Sequence, residues 1–283
     1  MSFGQQPWGG PNNGNAGNGQ QPQGYYQNHN QQPYGSPYNP QYHMGPNGAA
    51  INTQATYSYE RAQHVSMTRA YGEMTIGLLL TAVVAIVTQM SGLYMRFLVA
   101  TGGMGMWILA IIQIVLAIAL GARVMKMSTG TARAMFYIYA ALMGVTLSTI
   151  FGAFDLTTIG ISLALCAGFF FALTMFGLTT KGNMLKAGPI LLIALVVLII
   201  AEVIIMLFFP GQTALMVISA LGLILFAGMT IYDAQFTRAI FAQYASQGPE
   251  MIKKISILCA LNLYLDFVNM FLYILQLFGL SRD

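Results

Sequence analysis

Charged residues are scarce in this chain of 283 residues, and their scarcity excludes most soluble folds. Asp, Glu, Lys and Arg together make up 7% of the residues, whereas soluble domains carry about 25%. Hydrophobic residues make up 56% of the chain. A chain of this composition is predicted to be an integral membrane protein that crosses the bilayer several times.

Cysteine clusters, basic patches and a cleavable signal are also lacking. Cys166 and Cys259 lie far apart in apolar segments without a CxxC spacing, which excludes a disulfide framework or a zinc site. The Lys and Arg residues are scattered, so the net charge of +4 forms no patch for nucleic acid. The N-terminus has no basic segment followed by an apolar one, so we expect no cleaved signal peptide. We expect no cofactor.

Residues 1–65 differ in composition from the rest of the chain. Gln, Asn, Gly, Pro and Tyr dominate this stretch. It cannot bury enough apolar surface to offset the entropy lost on ordering. We therefore predict a disordered tail over residues 1–65, followed by a single membrane domain over residues 70–283.

Long apolar segments with short links occupy the remainder of the chain, and each is long enough to span a bilayer as a helix. The prediction is an all-α bundle of seven transmembrane helices. The predicted spans are 74–95, 104–123, 133–153, 157–179, 187–209, 213–236 and 255–279.

Basic residues are unevenly divided between the two sides of these spans. Ten Lys and Arg residues lie on the side of the N-terminus, whereas only Arg96 and Arg282 lie on the other side. Cytoplasmic loops carry the excess of positive charge in membrane proteins. We therefore predict a cytoplasmic N-terminus and a C-terminus on the opposite side of the membrane. The absence of a cleaved signal is consistent with a bacterial inner membrane or a eukaryotic internal membrane, and we predict the former.

The last predicted span contains an acid near its centre. Asp266 shares one helical face with Cys259, Asn262, Asn269 and Tyr273 at a period of 3.6 residues. A charge at this depth costs at least ~2.5 kcal/mol, so it usually faces the bundle interior or a water path. A residue that only ties helices together by hydrogen bonds is the other interpretation. We predict that this face points inward, with Asn262 and Asn269 as additional polar lining.

A second acid, Asp233, lies near the end of the preceding span. Regular helices would place Asp233 roughly 7 Å and Asp266 roughly 18 Å from the cytoplasmic edge, and helix tilt would still permit contact. Two adjacent carboxylates cannot both ionise cheaply, so they share a proton and titrate as a unit. When both are ionised they offer oxygen ligands for calcium, too few for tight storage but suited to transient passage. Arg123, which ends the second span, is the predicted countercharge for Asp233.

Glu202 is a third acid inside a predicted span. It lies about 22 Å from the cytoplasmic start of that span at 1.5 Å per residue. No partner for it is evident in the sequence. A protonated, hydrogen-bonded acid and a residue that lines a polar path both remain possible, and a catalytic role is the less favoured interpretation.

Several motifs carry a resemblance to a known family. They are Tyr232-Asp233-Ala234-Gln235 at the end of one span, the stretch from Leu263 to Asn269 in the next, and the sequence from Gly144 to Ser148. Together with the seven spans, they resemble the Bax inhibitor-1 (transmembrane Bax inhibitor motif) family in its bacterial form. The resemblance covers about residues 70–283.

The resemblance implies a fold and a function. The C-terminal helix would be central, and the membrane domain would be a pH-sensitive calcium leak channel gated by Asp233 and Asp266, with calcium and protons passing through the bilayer. Arg123 would pair with this dyad. Gln113 stands where some relatives have an acid and is a further candidate for the polar lining. The family also implies that bacterial members modulate a membrane protease.

Two other functions are compatible with an intramembrane acid pair. An acid on each of two successive helices resembles the layout of intramembrane aspartyl proteases. However, the bulky Leu263-Tyr264-Leu265 precedes Asp266 where those enzymes have a Gly-x-Gly pattern, and no Pro-Ala-Leu follows. We therefore predict that the protein is not an enzyme. The alternative to a channel is a membrane-embedded regulatory or binding protein that modulates a membrane protease or a stress response without conducting ions. The direction of the pH response stays open.

Overall fold

The computed structural model describes residues 42–44, 50–208, 211–245 and 247–280. Most of the predicted tail, residues 1–41 and 45–49, lies outside the described residues. Two short strands, β1 (Tyr42–Met44) and β2 (Ala50–Asn52), pair in antiparallel fashion. The first helix begins directly after β2, at Thr53, so it starts well before the predicted membrane domain.

The described membrane domain is all α-helical. A 3₁₀ turn (Met184–Ala187) precedes the seventh helix. The helices are α1 (Thr53–Ser91), α2 (Leu93–Ala100), α3 (Gly105–Arg123), α4 (Thr129–Leu147), α5 (Ile150–Ala153), α6 (Leu156–Thr179), α7 (Gly188–Phe208), α8 (Gln212–Tyr244) and α9 (Pro249–Leu280).

Seven helical segments of the described chain are long and apolar enough to cross a membrane, which confirms the predicted number. The largest differences from the predicted bounds are in the first span and the sixth, because polar turns continue these helices beyond their apolar stretches. The seven spans are Ser66–Ser91, Gly105–Arg123, Thr129–Ala153, Leu156–Thr179, Met184–Phe208, Gln212–Tyr244 and Pro249–Gly279.

Side-chain caps mark the starts of several helices. The Ser128 hydroxyl accepts a hydrogen bond from the Thr131 N–H at 3.1 Å, and α4 begins at the next residue. Asp155 Oδ1 accepts from the Thr158 N–H at 2.9 Å at the start of α6. Such caps satisfy backbone donors that have no partner inside the first helical turn.

Helix α9 lies at the centre of the bundle. Within its apolar stretch 67% of the residues are buried, against 6–33% in the other six spans. It packs against α8, α1, α6 and α4. Tyr264 of α9 is fully buried, and its hydroxyl lies 2.7 Å from that of Thr81 on α1. The prediction of a central C-terminal helix is therefore confirmed.

Two glycines allow neighbouring helices to approach closely. A Cβ atom on Gly144 of α4 would lie 2.6 Å from the carbonyl oxygen of Thr81 on α1. A Cβ atom on Gly177 of α6 would lie 2.8 Å from the carbonyl oxygen of Ile231 on α8. Small residues at helix crossings are the usual way in which membrane helices gain close van der Waals contact.

Candidate functional site

Helices α8 and α9 form an antiparallel hairpin that determines where the two predicted acids meet. Because the link between Tyr244 and Pro249 is short, Asp233 is level with Asn262 on the facing helix. Asp266 lies one further turn along α9, about 6 Å deeper. Helical side chains tilt toward the N-terminus of their own helix, so on antiparallel helices these two carboxyl groups lean toward each other.

The carboxyl groups of Asp233 and Asp266 lie close enough to interact electrostatically. Only 5% of Asp233 and 1% of Asp266 is exposed. Asn262 Nδ2 donates to Asp233 Oδ1 at 3.3 Å, but no donor from another described residue reaches either oxygen of Asp266. Since carboxylate oxygens only accept, a hydrogen bond between the two groups requires a proton on one of them. The structure thus places the two acids side by side in the core, where a proton on one of them would allow a hydrogen bond between them.

Further hydroxyl groups surround this pair. Tyr71 of α1 lies within electrostatic range of both acids, and its hydroxyl faces Thr174 of α6. Thr237 lies one turn from Asp233 on α8. None of these three hydroxyls has a hydrogen-bond partner of normal geometry in the described residues. Buried polar groups are usually paired, so this polar layer, made of the three hydroxyls and the two acids, is an exception within the core.

The sequence did not identify these three hydroxyl groups as candidates. Thr237 follows Asp233 by four residues, and this spacing could have placed it on the same helical face. Tyr71 and Thr174 carry no comparable signal, because their position beside the acids depends on how α1 and α6 pack against the hairpin.

The predicted pairing of Arg123 with Asp233 is wrong. The Arg123 side chain is exposed at the end of α3 and makes no ion pair with a described residue. Helix α3 packs mainly on α4 rather than on α8. An arginine at a helix end reaches water through its long side chain at little cost, so the buried acid does not draw it inward. It lines a surface cavity of about 440 Å³ with Lys126 and Met127.

Two of the predicted lining residues, Gln113 and Asn269, form their hydrogen bonds away from the acids. Gln113 Nε2 donates to the Leu142 carbonyl at 3.0 Å and to Thr146 Oγ1 at 2.7 Å, which ties α3 to α4. Asn269 Nδ2 donates to the Leu265 carbonyl of its own helix at 2.8 Å. Among the predicted polar lining residues, Asn262 is the one whose side chain contacts Asp233.

Glu202, for which the sequence indicated no partner, contacts the central helix. The Tyr273 hydroxyl of α9 donates to Glu202 Oε1 at 2.5 Å. Tyr273 belongs to the predicted polar face of α9, and it lies at the end of that face farthest from Cys259. The polar face therefore continues beyond Asp266 toward the opposite end of the bundle.

The motif around Asp233 also holds the chain between α6 and α7. Gln235 Oε1 accepts from the Met184 N–H, and its Nε2 donates to the Gly182 carbonyl, each at 2.8 Å. The Tyr232 ring lies against Gly188, where a Cβ atom would come within 2.7 Å of its hydroxyl oxygen. Gln235 by its hydrogen bonds and Tyr232 by packing thus hold α8 against the segment between α6 and α7.

The sequence does not reveal an ion pair between α1 and α4, in which Glu73 is buried and Arg133 is half-exposed. Glu73 accepts hydrogen bonds from Arg133 Nη2 at 2.5 Å and from the Tyr137 hydroxyl at 2.6 Å. Glu73 is 7% exposed. Arg133 was counted only as a topology signal, and Glu73 stands one residue before the predicted start of its span. A Glu so close to an apolar segment was the available signal.

A small apolar cluster separates the acids from one end of the bundle. We call this end the basic end, because the links after α3, α6 and α8, together with the helix ends beside them, carry most of the basic residues. Ala70, Phe241 and Ile255 are each at most 1% exposed there and pack with Cys259. Their cluster is distinct from the main core around the rest of α9. We call these three residues the apolar plug.

The acid pair alone is a weak metal site. Within the part of the chain that the structure describes, no three His, Cys, Asp or Glu residues lie together as a metal-binding group. A pair of carboxylates offers at most four oxygens, whereas calcium takes six to eight. Such a pair suits a cation that passes rather than one that stays.

Comparison with known proteins gives consistent similarities. A family model described as inhibitor of apoptosis-promoting Bax1 matches residues 63–283. The inner membrane protein YbhL of Escherichia coli (strain K12) is 36% identical over 216 residues, which cover 76% of this chain and 92% of YbhL.

Two uncharacterized bacterial proteins are similar to this chain over a comparable length. The protein from Deinococcus radiodurans is 36% identical over 219 residues, which cover 77% of this chain and 90% of that protein. The protein from Borreliella burgdorferi is 33% identical over 217 residues, which cover 77% of this chain and 92% of that protein.

Proposed function

The chain belongs to the Bax inhibitor-1 family of integral membrane proteins, and on that premise we propose that it is a pH-sensitive, calcium-permeable leak channel gated by Asp233 and Asp266. The observation that supports the proposal is that these two acids, on α8 and α9, are buried next to each other in the core. Intramembrane acids that face a bundle interior commonly mark an ion or proton pathway.

The acid pair acts as a switch through its shared proton. While the proton is present, the hydrogen bond holds α8 against α9. When the proton leaves, two like charges stand side by side in a poorly hydrated core, and their repulsion favours separation of the helices. Because Arg123 does not reach Asp233, no cation among the described side chains holds the ionised pair shut. The expected sign is therefore a leak that increases as the pH rises.

The apolar plug supports the view that the described conformation is closed. Phe241, Ile255 and Ala70 lie between the acids and the basic end without an exposed polar group among them. Hydrophobic constrictions block ions by excluding water. We propose that separation of α8 from α9 at the acid pair also opens this plug, since Phe241 and Ile255 belong to the same two helices.

The proposed location is a bacterial inner membrane with the basic end in the cytoplasm. Excess positive charge marks cytoplasmic loops, and the name of the similar E. coli protein places that relative in the inner membrane. The N-terminus would then be cytoplasmic and the C-terminus on the opposite side. We propose calcium and protons as the species that pass, with no catalytic activity and no resident cofactor.

Calcium flux into proteoliposomes loaded with a calcium dye, between about pH 5 and pH 8, tests the switch. Wild type should conduct more as the pH rises. Asp233→Asn and Asp266→Asn each remove one titrating group and should make the flux independent of pH in this range. Size-exclusion profiles of the purified variants control for folding.

The same flux measurement can also contradict the channel proposal. If correctly folded wild type shows no flux above empty liposomes at any pH, the leak-channel proposal is wrong. The non-conducting regulatory protein, with a membrane protease as its partner, then takes its place. Flux that keeps its full pH dependence in both variants would instead place the pH sensor outside the acid pair.

A further inference from the structure

Glu202 is the one charged residue of α7, and α7 belongs to the most apolar of the seven spans. The mean hydropathy of that span is 3.4, the highest of the described set. Leu198 is the only buried residue of the helix, so most of α7 faces lipid. Burying an ionisable side chain in such a helix costs free energy, so the residue and its partner are a candidate functional site.

The partner, Tyr273, is held in position by α8. A Cβ atom on Gly222 of α8 would lie 2.4 Å from the Tyr273 ring, so only glycine leaves room for the ring at this crossing. The ring also packs against Phe226, with centroids 5.8 Å apart. Tyr273 is 7% exposed. The hydroxyl that bonds to Glu202 is therefore fixed by packing, and it turns the carboxylate toward the bundle.

Glu202 and Tyr273 lie between the acid pair and the end of the bundle opposite the basic end. Each stands six residues before the far end of its span, at Phe208 and Gly279. That spacing corresponds to about 9 Å of helix. Asp266 is seven residues deeper along α9 than Tyr273, about 10 Å, and Asn269 lies between them on the same polar face.

We propose that Glu202 and Tyr273 form an entry station for the cation on the side opposite the basic end. The inference rests on the proposed leak-channel function and assigns a role to residues outside the acid pair. The Glu202 carboxylate attracts the cation as it loses water, and the Tyr273 hydroxyl orients the carboxylate toward α9. The cation then passes along the polar face to Asp266.

A structural role for the same hydrogen bond makes a different prediction. If Tyr273 only fastens α7 to the bundle, loss of the bond weakens the fold and affects passage equally from both sides. An entry station affects only cations that arrive from its own side. The sidedness of the effect therefore separates the two roles.

The test is sided calcium flux in proteoliposomes with protein of known orientation, measured against calcium concentration. For calcium supplied opposite the basic end, Glu202→Gln should raise the concentration at half-maximal flux about threefold to tenfold, because one attracting charge is lost and water screens part of it. For calcium supplied at the basic end, the value should not change. Glu202→Asp keeps the charge and should stay close to wild type.

Glu250→Gln is the matched control. Glu250 is an exposed carboxylate at the basic end, so its loss should leave half-maximal flux from the opposite side unchanged. Thermal unfolding of each variant in the same detergent reports any loss of stability. Tyr273→Phe removes the orienting hydroxyl and should shift the value in the same direction as Glu202→Gln, by a smaller factor.

The outcomes are distinguishable. If wild type conducts and Asp266→Asn changes its pH response, but Glu202→Gln has no effect or an equal effect from both sides, the entry station is wrong and the channel proposal stands. If wild type does not conduct at all, the channel proposal fails, and the entry station fails with it. A one-sided shift supports the station.

Discussion

Glu73 and Glu250 are both paired carboxylates, but their surroundings differ. Glu73 is buried between α1 and α4, where Arg133 and Tyr137 both donate to it. Glu250 stands on the surface beside Lys253, with a side chain 68% exposed. Removal of the buried Glu73 carboxylate takes an acceptor from its two partners, of which Arg133 is 43% exposed, whereas an exposed pair exchanges its contact for water.

We predict that Glu73→Ala destabilises the protein and that Glu250→Ala does not. Loss of Glu73 removes the acceptor of Tyr137 and of the half-exposed Arg133, which should lower the free energy of unfolding by about 1 kcal/mol. Thermal or denaturant unfolding in one detergent measures both variants. Equal stability of the two variants would show that the pair at Glu73 contributes no more than the exposed pair at Glu250.

At the scale of helices, the glycines of α6 have unequal roles. Gly177 faces the backbone of α8, and a Cβ atom there would lie 3.0 Å from Ala234 Cβ as well as close to the Ile231 carbonyl. Nothing lies within 4 Å of a Cβ atom on Gly168 of the same helix. The first glycine sets the distance between α6 and the helix that carries Asp233, whereas the second does not.

Gly177→Ala is expected to lower the free energy of unfolding by about 1–3 kcal/mol, because the added methyl group forces α6 away from α8. Gly168→Ala should be neutral or stabilising by up to about 1 kcal/mol, since alanine favours a helix interior over glycine. Unfolding of both variants in the same detergent provides the comparison. A loss of stability in Gly168→Ala as large as that in Gly177→Ala would contradict this account of the crossing.

At the scale of the whole molecule, the acid pair and the apolar plug follow one another along the same helix hairpin. The plug packs apart from the main hydrophobic cluster, which extends along α9. Beside the plug, the polar layer leaves several buried polar atoms without partners among the described residues. Unpaired buried groups favour a state in which water reaches them, whereas burial of the plug favours the closed state. The two tendencies oppose each other across the same helix hairpin.

We therefore predict that Phe241→Ala increases the calcium leak at the acidic end of the range, where wild type should be closed. Loss of the ring leaves a cavity that water can enter and thins the apolar barrier. Phe241→Leu preserves an apolar side chain and should remain closed. The readout is dye-based flux at about pH 5, within the range set for a carboxyl pair.

Phe176→Ala is the control for this comparison. Phe176 is 56% exposed on the outer face of α6, so its truncation should leave the flux at that pH unchanged. A leak that increases equally in Phe176→Ala and Phe241→Ala would mean that loss of any aromatic ring loosens the bundle, and the plug would lose its assigned role.

Local patterns in the chain were sufficient to predict the seven spans, the polar face of the last helix and the two acids of the dyad. Apolar length and a 3.6-residue period are properties of neighbouring residues, so they can be read before any packing is known. The meeting of Asp233 and Asp266 was also within reach, because a short link makes α8 and α9 antiparallel and their side chains then tilt toward each other.

Partners on helices distant in the chain depended on the packing of the bundle. Arg123 was assigned to Asp233 because both stood at the same edge of the membrane, but α3 packs on α4 and the arginine remains in water. Tyr273 reaches Glu202 only because Gly222 on a third helix makes room for its ring. Such contacts arise where three helices cross. The periodicity of a single helix shows which of its faces is polar, but it does not determine which helices pack against that face.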